Sequence, residues 1–126
     1  MAIQKFEDMK VWQDARILTK SIYIVTQKRN FNRDYGLRDQ IQRASVSIMS
    51  NIAEGYERDN NKEFIKFLGY SKGSVGEVRN LLYVALDQTY VSESEFSTYK
   101  EIATNISTQI ANFIKYLKKR ISASKN

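Results

Sequence analysis

Not one of the 126 residues is proline and only five are glycine, so little here breaks a helix and little supplies the turns of a β-rich fold. What organises the chain instead is the period of its apolar residues. At about 100° per residue, Val11, Ala15, Leu18, Ile22 and Val25 share one narrow stripe, with Trp12 and Thr19 beside it; this predicts a helix over 7–28. Leu37, Ile41, Ala44, Ile48 and Ile52 make a second stripe, opened by Asp34 as N-cap and closed near Gly55, for a helix over 35–57. The third stripe, Phe64, Phe67, Leu68, Ser71, Val75, Val78, Leu82, Ala85, Leu86 and Thr89, predicts a helix over 61–90. Ser92 with Glu95 reads as a capping box, and Phe96, Tyr99, Ala103, Ile106, Ile110, Phe113, Ile114 and Leu117 carry a fourth helix over 93–121.

Connections this short make consecutive helices antiparallel, so the expected fold is all-α, an up-down-up-down four-helix bundle forming one domain over residues 1–126. Its central apolar positions should each matter: Leu82→Ala is expected to cost about 2–5 kcal/mol.

Composition narrows function by exclusion. Cysteine and histidine are both absent, which removes disulfides, thiolate nucleophiles, the commonest general base and the usual zinc ligands. Carboxylate-rich bundles house di-iron sites, but those use Glu-x-x-His pairs that this chain lacks. No catalytic residue, metal or cofactor is therefore expected, and the protein reads as a non-enzyme. The first ten residues lack the apolar run of an export signal, and the longest apolar run, Leu81–Leu86, is far short of the roughly 20 residues that span a bilayer. A cytoplasmic protein without membrane contact is the expectation.

Several apolar residues lie off the stripes: Ile17 and Ile24 on the first helix, Val46, Met49 and Ala53 behind the second, Tyr70, Leu81 and Val84 beside the third. Single exposed apolars are ordinary, but three helices each with a second partial stripe point to self-association, with Ile17, Ile24, Val46, Met49, Tyr70, Leu81 and Val84 as candidate interface. Gly69, Gly73 and Gly76 share one face of the third helix at a cost of about 1 kcal/mol each against alanine. Close approach of another backbone is the reading that offsets this cost, ahead of an anion site. Along the second helix Arg43, Ser47, Asn51, Glu54 and Arg58 step by three or four residues and are expected to form one connected polar ladder facing Tyr70, Ser74 and Glu77.

Four blocks, Phe6–Trp12 (FEDMKVW), Tyr35–Ala44 (YGLRDQIQRA), Ser47–Arg58 (SIMSNIAEGYER) and Lys72–Glu77 (KGSVGE), resemble the signature segments of the 23S rRNA intervening-sequence proteins. The resemblance implies a left-handed four-helix bundle assembled as a homopentamer, and bacterial origin. The chain is also similar to accessory proteins of diversity-generating retroelements, pentameric bundles implicated in binding a reverse transcriptase and nucleic acid. Asn51, Glu54, Gly55, Arg58, Gly73, Ser74 and Glu77 carry over as motif positions, with no catalytic role attached. Met49 stands where many members have proline, so any helix bend that proline would impose is not expected here.

The net charge of +6 has an address. Residues 115–126 hold five cations and no acid, leaving 15 positive against 14 negative elsewhere. Two basic clusters result: Lys28, Arg29, Arg33, Arg38 and Arg43 around the first connection, with Phe31 and Tyr35 among them, and Lys115, Lys118, Lys119, Arg120 and Lys125 at the end, with Tyr116 close by. They point to an oligomer that associates with RNA or another nucleic acid through backbone contacts rather than base readout. The alternative is an oligomeric adaptor whose partner is a protein.

Overall fold

The structure, a computed structural model, describes residues 3–124; Lys125 of the basic tail lies outside them. After one 3₁₀ turn at Phe6–Asp8 the chain breaks at an extended Met9 (φ −77°, ψ 126°), and α1 runs from Lys10 to Val25. That break shifts the start of the first helix from the expected residue 7. It holds because Met9 is buried, Phe6 meets Trp12 edge-on at 5.2 Å, and Gln13 Nε2 donates to the Glu7 carbonyl at 2.9 Å. At the other end the helix stops at Val25 rather than 28. The buried Thr26 hydroxyl donates to the Ile22 carbonyl at 2.8 Å and accepts from Gln42 Nε2 at 2.9 Å, tying the chain to the next helix before it turns away.

The connection contains a second 3₁₀ turn, Phe31–Arg33, and leads into α2, Tyr35–Glu57, with the bounds the sequence predicts. Asp34 is the reason for its start: one carboxylate oxygen accepts from the Leu37 amide at 3.2 Å and the other from the Tyr90 hydroxyl at 3.0 Å. That bond to Asp34, with burial adding to it, raises the Tyr90 pKa. A tight turn with Asp59 at φ 51° joins α2 to α3, Asn61–Asp87, which is capped by Asn60 accepting from the Glu63 amide at 3.0 Å. The third helix ends three residues early because Thr89 turns left-handed (φ 60°), letting the Tyr90 amide reach back to the Ala85 carbonyl at 2.9 Å. Thr89, expected in the apolar stripe, is exposed. The predicted capping box is present, with Ser92 and Glu95 exchanging bonds of 3.0 and 2.8 Å, and α4 continues over Glu93–Ser124.

Each helix packs against two others, α1 on α2 and α4, and α3 on the same pair, which makes an all-α four-helix bundle. Leu18, Ile22, Ile41, Ile48, Ile52, Leu68, Val75, Leu82, Ile106 and Ile110 fill its axis and are fully buried. Two positions expected on an outer face belong to this core instead. Leu81 is buried and Met49 is half-buried against the cluster, because helices gripped by two neighbours bury a wider arc than one apolar stripe shows. Between α2 and α3 the buried Ser71 hydroxyl donates to the Ile48 carbonyl at 2.7 Å. Gly55 is the one glycine whose smallness the packing uses: a Cβ there would lie 2.6 Å from Phe67 Cβ.

Candidate nucleic-acid interface

Antiparallel packing sends the two basic clusters to opposite ends of the bundle. The end of α1 and the start of α2 lie with the end of α3 and the start of α4; the tail of α4 lies with the α2–α3 turn and the start of α1. They cannot act as one patch within a chain.

Two of the five cations in the first cluster are paired. Lys28 Nζ is 2.6 Å from Glu95 Oε2, and Arg38 Nε is 3.0 Å from Asp39 Oδ1 while its terminal nitrogen bonds Asn32. The bond from Lys28, the Ser92 amide and the Lys28 charge hold the Glu95 carboxyl below its ordinary range against the opposing effect of burial. Phe31, read in the sequence as an aromatic interleaved with these charges, is fully buried and stacked on Tyr90 at 5.2 Å, so it is a core plug. Tyr35 is exposed beneath the Arg38 guanidinium. Arg29 and Arg33 are exposed, and Arg43 stands apart, lining a groove between α2 and α3 with Gln40, Ser47 and Glu77.

The second cluster is different. Lys115, Lys118, Lys119 and Arg120 are exposed on the last turns of α4, and among the described residues none forms an ion pair. Arg120 lies over the Tyr116 ring, 5.7 Å from its centroid, and donates to its hydroxyl at 3.3 Å.

The polar ladder of α2 comes out in two pieces. Asn51 Nδ2 donates to Ser47, whose hydroxyl accepts from Ser74 across the α2–α3 seam at 2.9 Å. Separately, Arg58 bonds Glu54 at 3.1 Å, approaches Glu63 and covers the Phe67 ring at 4.9 Å. Glu77 accepts from Gln40 at 3.4 Å. Of the motif residues, Gly55, Arg58, Ser74 and Glu77 thus make contacts across the joint between α2 and α3, while Asn51 and Glu54 bond to Ser47 and Arg58 on the α2 side. Among the described residues no three carboxylates gather closely enough for a metal.

The remaining interface candidates separate by face. Ile17 and Ile24 are 55% and 61% exposed, and Ile17 lines a shallow groove with Ile102 of α4. Val46, Tyr70 and Val84 are also exposed on α2 and α3. Near them Gly69, Gly73 and Gly76 have nothing within 4 Å of an added Cβ, so their close approach, if made, is not to another helix of the same chain.

Sequence reading missed one feature of the tail end. Tyr56 of α2, Phe64 of α3 and Phe113 and Tyr116 of α4 meet edge-to-face in a continuous row, with centroids 6.0, 5.2 and 6.1 Å apart. Only the Phe113–Tyr116 spacing is visible in sequence; the rest depends on which helix ends meet.

Residues 7–112 match the family described as 23S rRNA-intervening sequence protein. No curated protein matches the chain. Among solved structures, that of a protein of unknown function from the S23 ribosomal protein family of Bacteroides thetaiotaomicron superposes with a TM-score of 0.76 at 19% identity, covering 83% of this chain and 95% of that one. That likeness concerns the fold. The matched span covers the four sequence blocks but for Phe6, and α1 to α3 with the first twenty residues of α4, so the chain belongs to the 23S rRNA-intervening sequence protein family.

Proposed function

We propose that this chain is a non-enzymatic, oligomeric, cytoplasmic protein that associates with RNA through the cations ending α4. The observation that carries this reading is the contrast between the two basic clusters: two of the five cations at the first connection, Lys28 and Arg38, are tied to Glu95 and Asp39, whereas none of Lys115, Lys118, Lys119 and Arg120 forms an ion pair among the described residues. Unpaired cations on an exposed helix are free to displace counterions from phosphates. Among the described residues the last turn of α4 holds no cation, so complementing the helix dipole, an effect confined to that turn, does not account for the four.

Self-association supports the same reading by repeating the patch. Ile17 and Ile24 face outward on the α1–α4 side, while Tyr70, Val84 and the open glycine stripe belong to the α2–α3 side. Different faces on opposite sides favour head-to-tail contact, which closes into a ring when the rotation allows; the homopentamer implied by the family is such a ring. The same exposed apolar positions favour a second reading, an adaptor holding a protein partner.

Binding of the intact protein to a labelled RNA, followed across salt, tests the first reading. A steep fall in affinity between 50 and about 200 mM salt is expected, shallower after K118Q/K119Q/R120Q. Salt-independent affinity, or none at low salt, overturns it. A single protein recovered in pull-downs after nuclease treatment establishes the adaptor instead.

A further inference from the structure

At the tail end of the bundle a groove of about 780 Å³ opens between the α2–α3 turn and α4, and its lining includes Tyr56, Asp59, Phe64, Phe113, Tyr116 and Arg120. Its size lies within the range of small-ligand clefts, about 300–1,000 Å³. Three properties coincide in it. Its wall is the aromatic row, whose outermost member, Tyr116, is 53% exposed and offers a ring to solvent. Arg120 lies 5.7 Å from the centroid of that ring, a cation beside the surface on which a base would stack. The lining on the α2–α3 turn carries Glu57 and Asp59, acceptors suited to the amino groups of base edges.

We infer that this groove seats an unpaired base of single-stranded RNA on Tyr116, while its backbone runs along the cations of α4; the inference rests on the RNA-binding reading above. Helix geometry places the parts. At about 100° per residue, Tyr116 and Arg120 share one side of α4, Lys119 stands on the next ridge and Lys115 just beyond it. A strand whose phosphates meet Lys119 therefore passes beside the Tyr116 ring. A duplex keeps its bases stacked inside and cannot enter, so the groove selects single strands while the cations alone do not. The carboxylates of the lining act in the same direction, since they repel a phosphate placed in the groove and accept from a base.

The test compares a single-stranded RNA of mixed sequence with a blunt-ended RNA duplex of equal phosphate number, at several salt concentrations. Wild type is expected to favour the single strand. Tyr116→Ala should lower single-strand affinity by about 5- to 100-fold, from the 1–3 kcal/mol that one base–aromatic stack is worth, and leave duplex affinity and the salt slope unchanged. Tyr116→Phe keeps the ring and should restore the single-strand value. Equal affinity for the two RNAs, or a Tyr116→Ala variant that binds like wild type, overturns the groove while leaving the cation reading intact. Absence of all RNA binding at 50 mM salt overturns both. If Tyr116→Ala instead changes the mass of the assembly by light scattering and not RNA affinity, the groove is occupied by a second copy and the inference fails.

Discussion

Replacing Gly55 by alanine tests the packing at the centre of the family motif. An added Cβ lies 2.6 Å from Phe67 Cβ, 3.0 Å from Phe64 Cδ1 and 3.5 Å from the Phe64 carbonyl oxygen. Favourable carbon contacts sit at about 3.5–4.0 Å, so the Phe67 contact is short by about 1 Å. The Phe64 atom is at the end of a ring that can rotate away. Phe67 Cβ is fixed to its backbone and can retreat only if α3 moves off α2. Such overpacking costs about 1–3 kcal/mol, and the α2–α3 joint, with its Ser71–Ile48 and Ser74–Ser47 bonds, resists the shift. Alanine recovers about 1 kcal/mol of helix propensity over glycine. The net expectation is a loss of up to about 2 kcal/mol, or up to about 10 °C in Tm for a chain of this size, measured by circular dichroism and denaturant titration. Gly36→Ala, where nothing lies within 4 Å, should leave stability equal or higher. Phe67→Leu retains the Cβ, so the Gly55→Ala penalty must persist in that background. A Gly55→Ala protein more stable than wild type, or a penalty that disappears with Phe67→Leu, refutes the steric account.

Asp34→Ala removes both the α2 cap and the acceptor of the Tyr90 hydroxyl and should cost about 1–2 kcal/mol; Asp34→Asn keeps a good cap and should cost less, and an alanine variant with an unchanged denaturant midpoint would show that neither bond stabilises the fold. Glu95 titrates lower folded than unfolded, so its stabilisation is fully present above its ordinary value of 4.5 and is lost as pH falls through the lower folded value; Glu95→Gln should flatten that part of the stability–pH curve. Asp14 behaves alike: burial is the largest single effect and pushes its carboxyl up, but the hydrogen bonds from Lys10 and Gln109 and the Lys10 charge together hold it below its ordinary value. Light scattering should give wild type a mass several times 14.7 kDa and Ile17→Glu/Ile24→Glu a mass of one chain with unchanged helicity; a single-chain wild type sinks the assembly.

The parts of the fold legible in sequence were those with local causes. Asp34 and the Ser92–Glu95 box set helix starts through bonds three residues long, and both appear as read. The apolar period runs past the observed ends of α1 and α3 because the causes of those ends are distant or conformational: Thr26 answers to Gln42, and Thr89 turns left-handed to bring Tyr90 onto Phe31. Leu81 looked peripheral because one stripe was drawn for a helix that meets two neighbours. In the candidate site, the basic tail needed only a count of charges. Which cations are already neutralised did not, since the Lys28–Glu95 pair joins residues 67 positions apart, and the aromatic row needs three helix ends brought together.

Leu117 is the last buried residue of α4, and of the residues described beyond it only Ile121 is less than exposed. From there the helix is sustained by its own ladder of bonds rather than by neighbours, which places its final turns near the helix–coil boundary. Lys115 and Lys119 are like charges one turn apart, a pairing that works against the helix. A bound polyanion would relieve that repulsion. The length of α4 and the occupancy of its cations are then linked quantities, and amide exchange in residues 118–124 should slow as RNA is added.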